Sequence, residues 1–161
     1  MKFLLLMLPL LLWGAEDSGR DLIFLERVER RLGEIEKKVR ERGYDRRLAE
    51  ELNSYGYPLH QLKLRYRGRD EDRELYERAH RAYLKVLSLK RGMFPHVLKE
   101  EMRRLGIPFC DVRAEGKNRE KLVLFLKDPG DEETVLRIVT RTQLQNAHLI
   151  GVESVSFKKC R

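Results

Sequence analysis

Two stretches of this 161-residue chain space their apolar residues at alternating steps of three and four, and that rhythm limits the folds open to it. The first is Leu25, Val28, Leu32, Ile35 and Val39, with Arg and Glu between them. Such spacing gathers all five side chains on one narrow stripe of an α-helix, suited to a single facing helix. The second is Leu75, Ala79, Ala82, Val86 and Leu89. The two seams are expected to pair as an antiparallel helical hairpin within one chain, or to mediate dimerisation. Ala79 and Ala82 make the second face shallow, which would leave part of the first uncovered. An uncovered apolar strip marks a contact site, so the first seam is the candidate interaction surface.

Local signals set the expected boundaries. Ser18 with Asp21 three residues on reads as a helix start, and Gly43 as its end. Asp45 is placed to cap a short helix from Arg46 to Asn53, with Leu48, Ala49 and Leu52 inward. Asn-Ser-Tyr-Gly-Tyr-Pro (53–58) is dense in turn formers and is expected to reverse the chain. From His60 to Arg69 two periods compete. Leu62, Leu64 and Tyr66 alternate with bases, yet Leu59, Leu62 and Tyr66 also fit one helix face, and Pro58 suits a first turn. Helix is favoured, with a break near Gly68. Asp70 to Lys90 reads as helix ended by Gly92. Pro95 opens another through Leu105, with Val97, Leu98, Met102 and Leu105 inward.

Beyond Gly106 the period becomes two. Phe109 to Glu115 and Lys121 to Lys127 read as strands joined by a hairpin at Gly116-Lys117-Asn118. Asp128-Pro-Gly-Asp131 turns the chain into a helix to about Ala147, with Val135, Leu136, Ile138, Val139 and Thr142 inward. Ile150 to Lys158 is a third strand, with a bulge expected between Val152 and Val155. The second and third strands, joined by a helix, should run parallel through a right-handed crossover. The first is antiparallel to the second. The start of the first strand and the end of the third then share one end of the sheet. Cys110 and Cys160, the two cysteines, sit at those points, and one structural disulfide is expected. Apolarity on both faces of Leu122–Leu126 favours the second strand at the centre. A central first strand would make the bridge more direct.

The N-terminus supplies an address. Lys2 precedes an apolar run from Phe3 to Trp13, then Gly14, Ala15 and the acids Glu16 and Asp17. That is the layout of a bacterial secretory signal peptide. The run has 11 residues, against about 20 for a membrane-spanning helix, so export and cleavage near residue 15 are expected, with no transmembrane anchor afterwards. The expected divisions are a signal peptide over 1–15, a helical coiled-coil-like region over 16–92 and an α-β-β-α-β domain over 93–161. The net charge of +8 favours anionic partners. Its excess lies in residues 54–93, with 10 bases against 5 acids. There Tyr55, Tyr57, Lys63, Arg65, Tyr66, Arg67 and Arg69 interleave aromatics with bases, as a site for single-stranded nucleic acid or another polyanion would.

No catalytic motif accompanies these features. There is no His-Glu-x-x-His, no Gly-rich phosphate loop and no Gly-x-Ser-x-Gly. His60, His80, His96 and His148 share no ligand spacing, and no Cys-x-x-Cys exists to depress a thiol pKa. No catalytic residue, cofactor or metal is expected.

The segment Arg-Arg-Leu-Gly-Ile-Pro-Phe (103–109), followed by two strands, a helix and a strand, resembles the ring-building motif of secretion and flagellar basal-body proteins. A heptad-bearing helical region before a small α/β sandwich is also similar to the periplasmic part of type IV pilus inner-membrane alignment proteins. The resemblance covers residues 94–158. It implies a part in a secretion, pilus or flagellar assembly and assigns no site residues. The expectation is thus an α+β protein, exported and non-catalytic, that binds an envelope protein or itself through its helical seam or sheet edge. The alternative is an exported polyanion binder using residues 55–69.

Overall fold

A computed structural model describes the backbone of residues 2–146 and 152–161, with side chains from Ser18 onward in those spans. Helix α1 spans Lys2–Arg42, α2 Arg46–Tyr66 and α3 Arg73–Arg104. Strands β1 (Phe109–Glu115) and β2 (Lys121–Leu126) follow, then α4 (Glu132–Gln145) and β3 (Ser154–Lys159). The order is the expected α+β one, a helical region and then a small sheet with its helices. The expected residues 1–15 signal lies where side chains are outside the described set, as do Ile150 and the end of the last helix at Ala147.

The helices run longer than their local signals suggest. Helix α1 is continuous through Ser18, so no helix starts there. Gly43 does end it: its φ is +77° and its N–H donates to the Val39 carbonyl at 2.7 Å. Asp45 caps α2, its Oδ1 accepting from the N–H groups of Arg47 (2.8 Å) and Leu48 (3.2 Å). The expected reversal at 53–58 does not occur. Helix α2 continues through Gly56 and Pro58 to Tyr66. Pro58 lacks the N–H that would bond the Ser54 carbonyl, a cost of about 3 kcal/mol. Burial offsets it: Leu48, Ala49, Leu52, Leu59, Leu62 and Tyr66 are all buried along one face, at about 1.5–3 kcal/mol for each large apolar side chain. Gly68, at φ +75°, then releases the chain.

The expected break at Gly92 is likewise absent. Helix α3 passes through Gly92 and Pro95 with Val86, Leu89, Met93, Phe94, Leu98 and Met102 buried. The boundary between residues 92 and 93 therefore falls inside a helix, and the buried residues of both parts form one contiguous core.

Ion pairs give the helix directions. Arg31 bonds Glu51 and Arg65 bonds Asp21, so α1 and α2 are antiparallel. Arg78 bonds Glu29 and Lys85 bonds Glu36, each 49 residues apart in sequence. That constant offset means α1 and α3 run parallel. The two seams are therefore parallel neighbours in an up-down-up arrangement, not the antiparallel hairpin expected, because α2 is the return element.

The sheet has the order β1-β2-β3, with β1 antiparallel and β3 parallel to the central β2. Val112, Leu124 and Phe157 lie side by side on the inner face, in one core with Leu98, Met102, Val135, Ile138 and Val139. Leu105 and Leu136, expected inward, are exposed. Leu105 follows the last residue of α3. The irregularity is in β1, between Phe109 and Asp111, which makes Cys110 the extra residue. At the start of β3 the N–H groups of Glu153 and Ser154 both donate to the Glu120 carbonyl, and the pairing from Ser154 onward is regular. Among the described residues no helix is long and apolar enough to cross a membrane.

Candidate functional site

The first seam is occupied inside the chain. Leu25, Val28, Leu32, Ile35 and Val39 are at most 8% exposed. The shallow second seam does not leave them uncovered, since the apolar face of α2 joins the same core. A partner helix could reach this seam only by opening the bundle. In the single chain the seam's contacts are internal.

The basic Tyr-rich segment is dispersed around the last three turns of α2, as far as Tyr66, and past its end at Arg67 and Arg69. Tyr66 is buried, and its hydroxyl donates to Asp21. Arg65 bonds the same carboxylate at 2.6 Å. Tyr55 is half-buried and donates to Glu51 at 2.7 Å. Burial and the Glu51 charge push its pKa up to about 12. The Lys63 ammonium lies over the Tyr83 ring, 4.6 Å from its centre, and burial followed by repulsion from Arg67 lowers its pKa. Tyr57, Arg67 and Arg69 stay exposed. Two of the three tyrosines thus serve the bundle, and the segment presents no continuous stacking platform.

Cys110 and Cys160 form a disulfide, with Cα atoms 5.9 Å apart. The bridge spans the end of the central strand. The bulge turns Cys110 outward, the Cys160 N–H donates to the Leu126 carbonyl at 3.3 Å, and Cys160 Sγ lies 3.5 Å from the Phe125 carbonyl oxygen. This solves the two-strand separation that a central β2 imposes. A bonded pair fits an oxidising compartment.

The bridge forms one wall of a groove of about 540 Å³ on the outer face of the sheet, where Arg113, Phe125, Lys158 and Arg161 also line the surface. Arg113 covers the Phe125 ring, 5.2 Å from its centre, and bonds Asp111 at 2.6 Å. Lys99 reaches Asp111 from α3 at 3.1 Å. Burial opposes ionisation of Asp111, but Arg113, Lys99 and the Val112 N–H together hold its carboxyl below the usual range. Glu115 pairs in register with Lys121. Lys158, Lys159 and Arg161 have no carboxylate within ion-pair distance among the described residues. The groove is therefore net cationic, half-lined by the C-terminal strand and pinned by the disulfide.

Sequence reasoning missed a polar lock that ties α3 to α2 and to the β1–β2 loop. Lys90 is buried, its ammonium donating to Asn53 Oδ1 at 2.8 Å, and burial lowers its pKa. Arg91 is buried one residue on and donates to the Asn118 carbonyl at 3.2 Å. Gly92 leaves room for the Arg119 guanidinium, which any Cβ would meet. Charged residues next to a glycine inside an apolar repeat were the available signal. Among the described residues no group of three or more His, Cys, Asp and Glu is placed to hold a metal.

No family model matches the chain, and no solved structure matches it. It is similar to an uncharacterized protein of Aquifex aeolicus (strain VF5), 27% identical over 152 residues, which cover 92% of this chain and 89% of that protein.

Proposed function

We propose that this chain is an exported, non-catalytic interaction protein of the cell envelope, whose helical bundle is a scaffold and whose small sheet engages a protein partner. The observation that carries this reading is the different fate of the two candidate surfaces. The helical seam is buried within the chain. The outer sheet face carries a groove lined by more bases than acids, and a disulfide pins it. Export is supported by the signal-like residues 1–15 and by the disulfide. A place in a secretion, pilus or flagellar assembly rests on the resemblance over residues 94–158. The polyanion reading at residues 55–69 keeps Tyr57, Arg67 and Arg69 but gives Tyr55, Arg65 and Tyr66 to internal bonds, so it is the weaker of the two.

Two measurements on native cells test this. The protein should be in the periplasm or medium, with a mass placing its N-terminus near Ala15 or Glu16. A photo-crosslinking amino acid at Ser156, on the sheet, should yield adducts with a discrete envelope protein, whereas one at Glu34, on the bundle, should not. A cytoplasmic protein retaining Met1 overturns export, and adducts confined to Glu34 overturn the assignment of the binding surface.

A further inference from the structure

We propose that the free edge of β3 is a docking strand for an acidic, extended segment of a protein partner, an inference that rests on the interaction reading above. The sheet has two edges, β1 and β3, and they differ. Edge β1 carries a device that blocks strand addition, the bulge at Cys110, and its Asp111 is already bonded to Arg113 and to Lys99 of α3. Edge β3 carries no bulge in its pairing with β2, and no described strand lies beyond it.

The direction of its backbone groups follows from two bonds. The N–H groups of Ser154 and Cys160 point to β2, donating to Glu120 and Leu126. Past the Glu120 carbonyl that Glu153 shares, from Ser154 on, residues of even number therefore face the central strand, and the N–H and C=O groups of Val155, Phe157 and Lys159 face outward. An unpaired row of this kind is a template for an added strand.

Charge selects the occupant. Lys158, Lys159 and Arg161 lie at the end of this edge without an ion-pair partner among the described residues. Cys160, between them, is bonded to Cys110, so the cations are held beside the edge instead of trailing from it. Of the two acids lining the groove, Asp111 is engaged by Arg113 and Lys99, and Glu115 lies at the far end of β1, paired in register with Lys121 at the start of β2, so the cations at the end of β3 outnumber it. A second copy of β3 offers no acid, since Ser154–Lys159 contains none. Nucleic acid would lack a stacking surface, because Arg113 already covers the Phe125 ring. An extended peptide with alternating carboxylates satisfies both the backbone edge and the cations.

The test titrates the full mature chain, disulfide intact, with fluorescent octapeptides followed by polarisation. The probes are alternating Glu-Val, alternating Lys-Val, and Glu-Val with alternate amides N-methylated along one edge, made in both registers. The Glu-Val peptide should bind and weaken with salt. One N-methylated register should lose binding, and Lys-Val should not bind. Combining Lys158→Glu, Lys159→Glu and Arg161→Glu should weaken Glu-Val by about tenfold or more, with the far-UV circular dichroism spectrum and the urea midpoint unchanged, so that the fold is known to be intact. Equal binding of both N-methylated registers, equal binding of Lys-Val, or no binding of Glu-Val overturns the proposal. Failure of the octapeptide beside a discrete Ser156 adduct in cells leaves the interaction reading standing, whereas peptide binding without any adduct removes that reading instead.

Discussion

Gly43 and Gly33 are both glycines of the first helix region, and the structure gives them opposite roles. Gly43 sits at φ +77°, and a Cβ there would approach the His96 ring to 2.7 Å. Gly33 is mid-helix with nothing within 4 Å. Gly43→Ala should therefore destabilise by about 1–2 kcal/mol, from the left-handed backbone and the ring contact together. Gly33→Ala should stabilise by up to about 1 kcal/mol, through helix propensity. Urea midpoints measure both. Gly43 was legible as a helix end because a glycine closes the heptad rhythm there. Gly92 looked the same and was not an end, because the rhythm continues through Met93 and the missing side chain admits Arg119 from a distant loop. A single glycine does not distinguish a cap from a close approach; the apolar pattern on its far side does.

At the scale of elements, α2 is where local and tertiary signals conflict. Asn53, Ser54, Gly56 and Pro58 are turn formers, yet Leu48, Leu52, Tyr55, Leu59, Leu62 and Tyr66 continue a 4-3-4-3-4 rhythm across them. Their burial outweighs the local penalties, so the third seam was present in the sequence and hidden by composition. This helix is what closes the first seam. Ile35→Ala should then lower stability by about 2–5 kcal/mol without changing the sedimentation coefficient of the folded protein at any concentration. The α1–α2 contact also predicts a pH dependence. Glu51 accepts two bonds from Arg31, at 2.6 and 2.8 Å. Arg31 and then the Tyr55 hydroxyl hold its carboxyl below the ordinary 4.5 against the cost of burial. Its folded-state pKa is thus below the unfolded one. The stabilisation is complete above about pH 4.5 and is lost as pH falls through the lowered value. Glu51→Gln should cost about 1 kcal/mol at pH 7 and flatten the decline in urea midpoint between neutral pH and pH 3.

For the whole molecule, the C-terminal topology was the most legible part. Period-two strands, a helical crossover and two cysteines converged on one sheet end, and the bonded pair lies there. The phase change between Val152 and Val155 coincides with the Glu120 carbonyl shared by the N–H groups of Glu153 and Ser154, whereas the bulge at Cys110 that makes the bridge short left no signal in the alternation of Phe109–Glu115. Replacing Cys110 and Cys160 together with Ser should cost about 4 kcal/mol by the loop-entropy model, and hydrogen exchange should show β3 losing protection first. The relative direction of α1 and α3 was not legible, because two matching seams pair as well parallel as antiparallel until the length of α2 is known. The ion pairs between α1 and α3 place both apolar seams within one chain. Zero-length carbodiimide crosslinking of an equal mixture of isotopically light and heavy protein tests it most directly. The Lys85 ammonium is 2.5 Å from the Glu36 carboxylate, and Lys99 is 3.1 Å from Asp111. Glu36–Lys85 and Asp111–Lys99 linked peptides should be wholly light or wholly heavy. Glu36–Lys85 peptides of mixed isotope would place the seam between chains and contradict that placement.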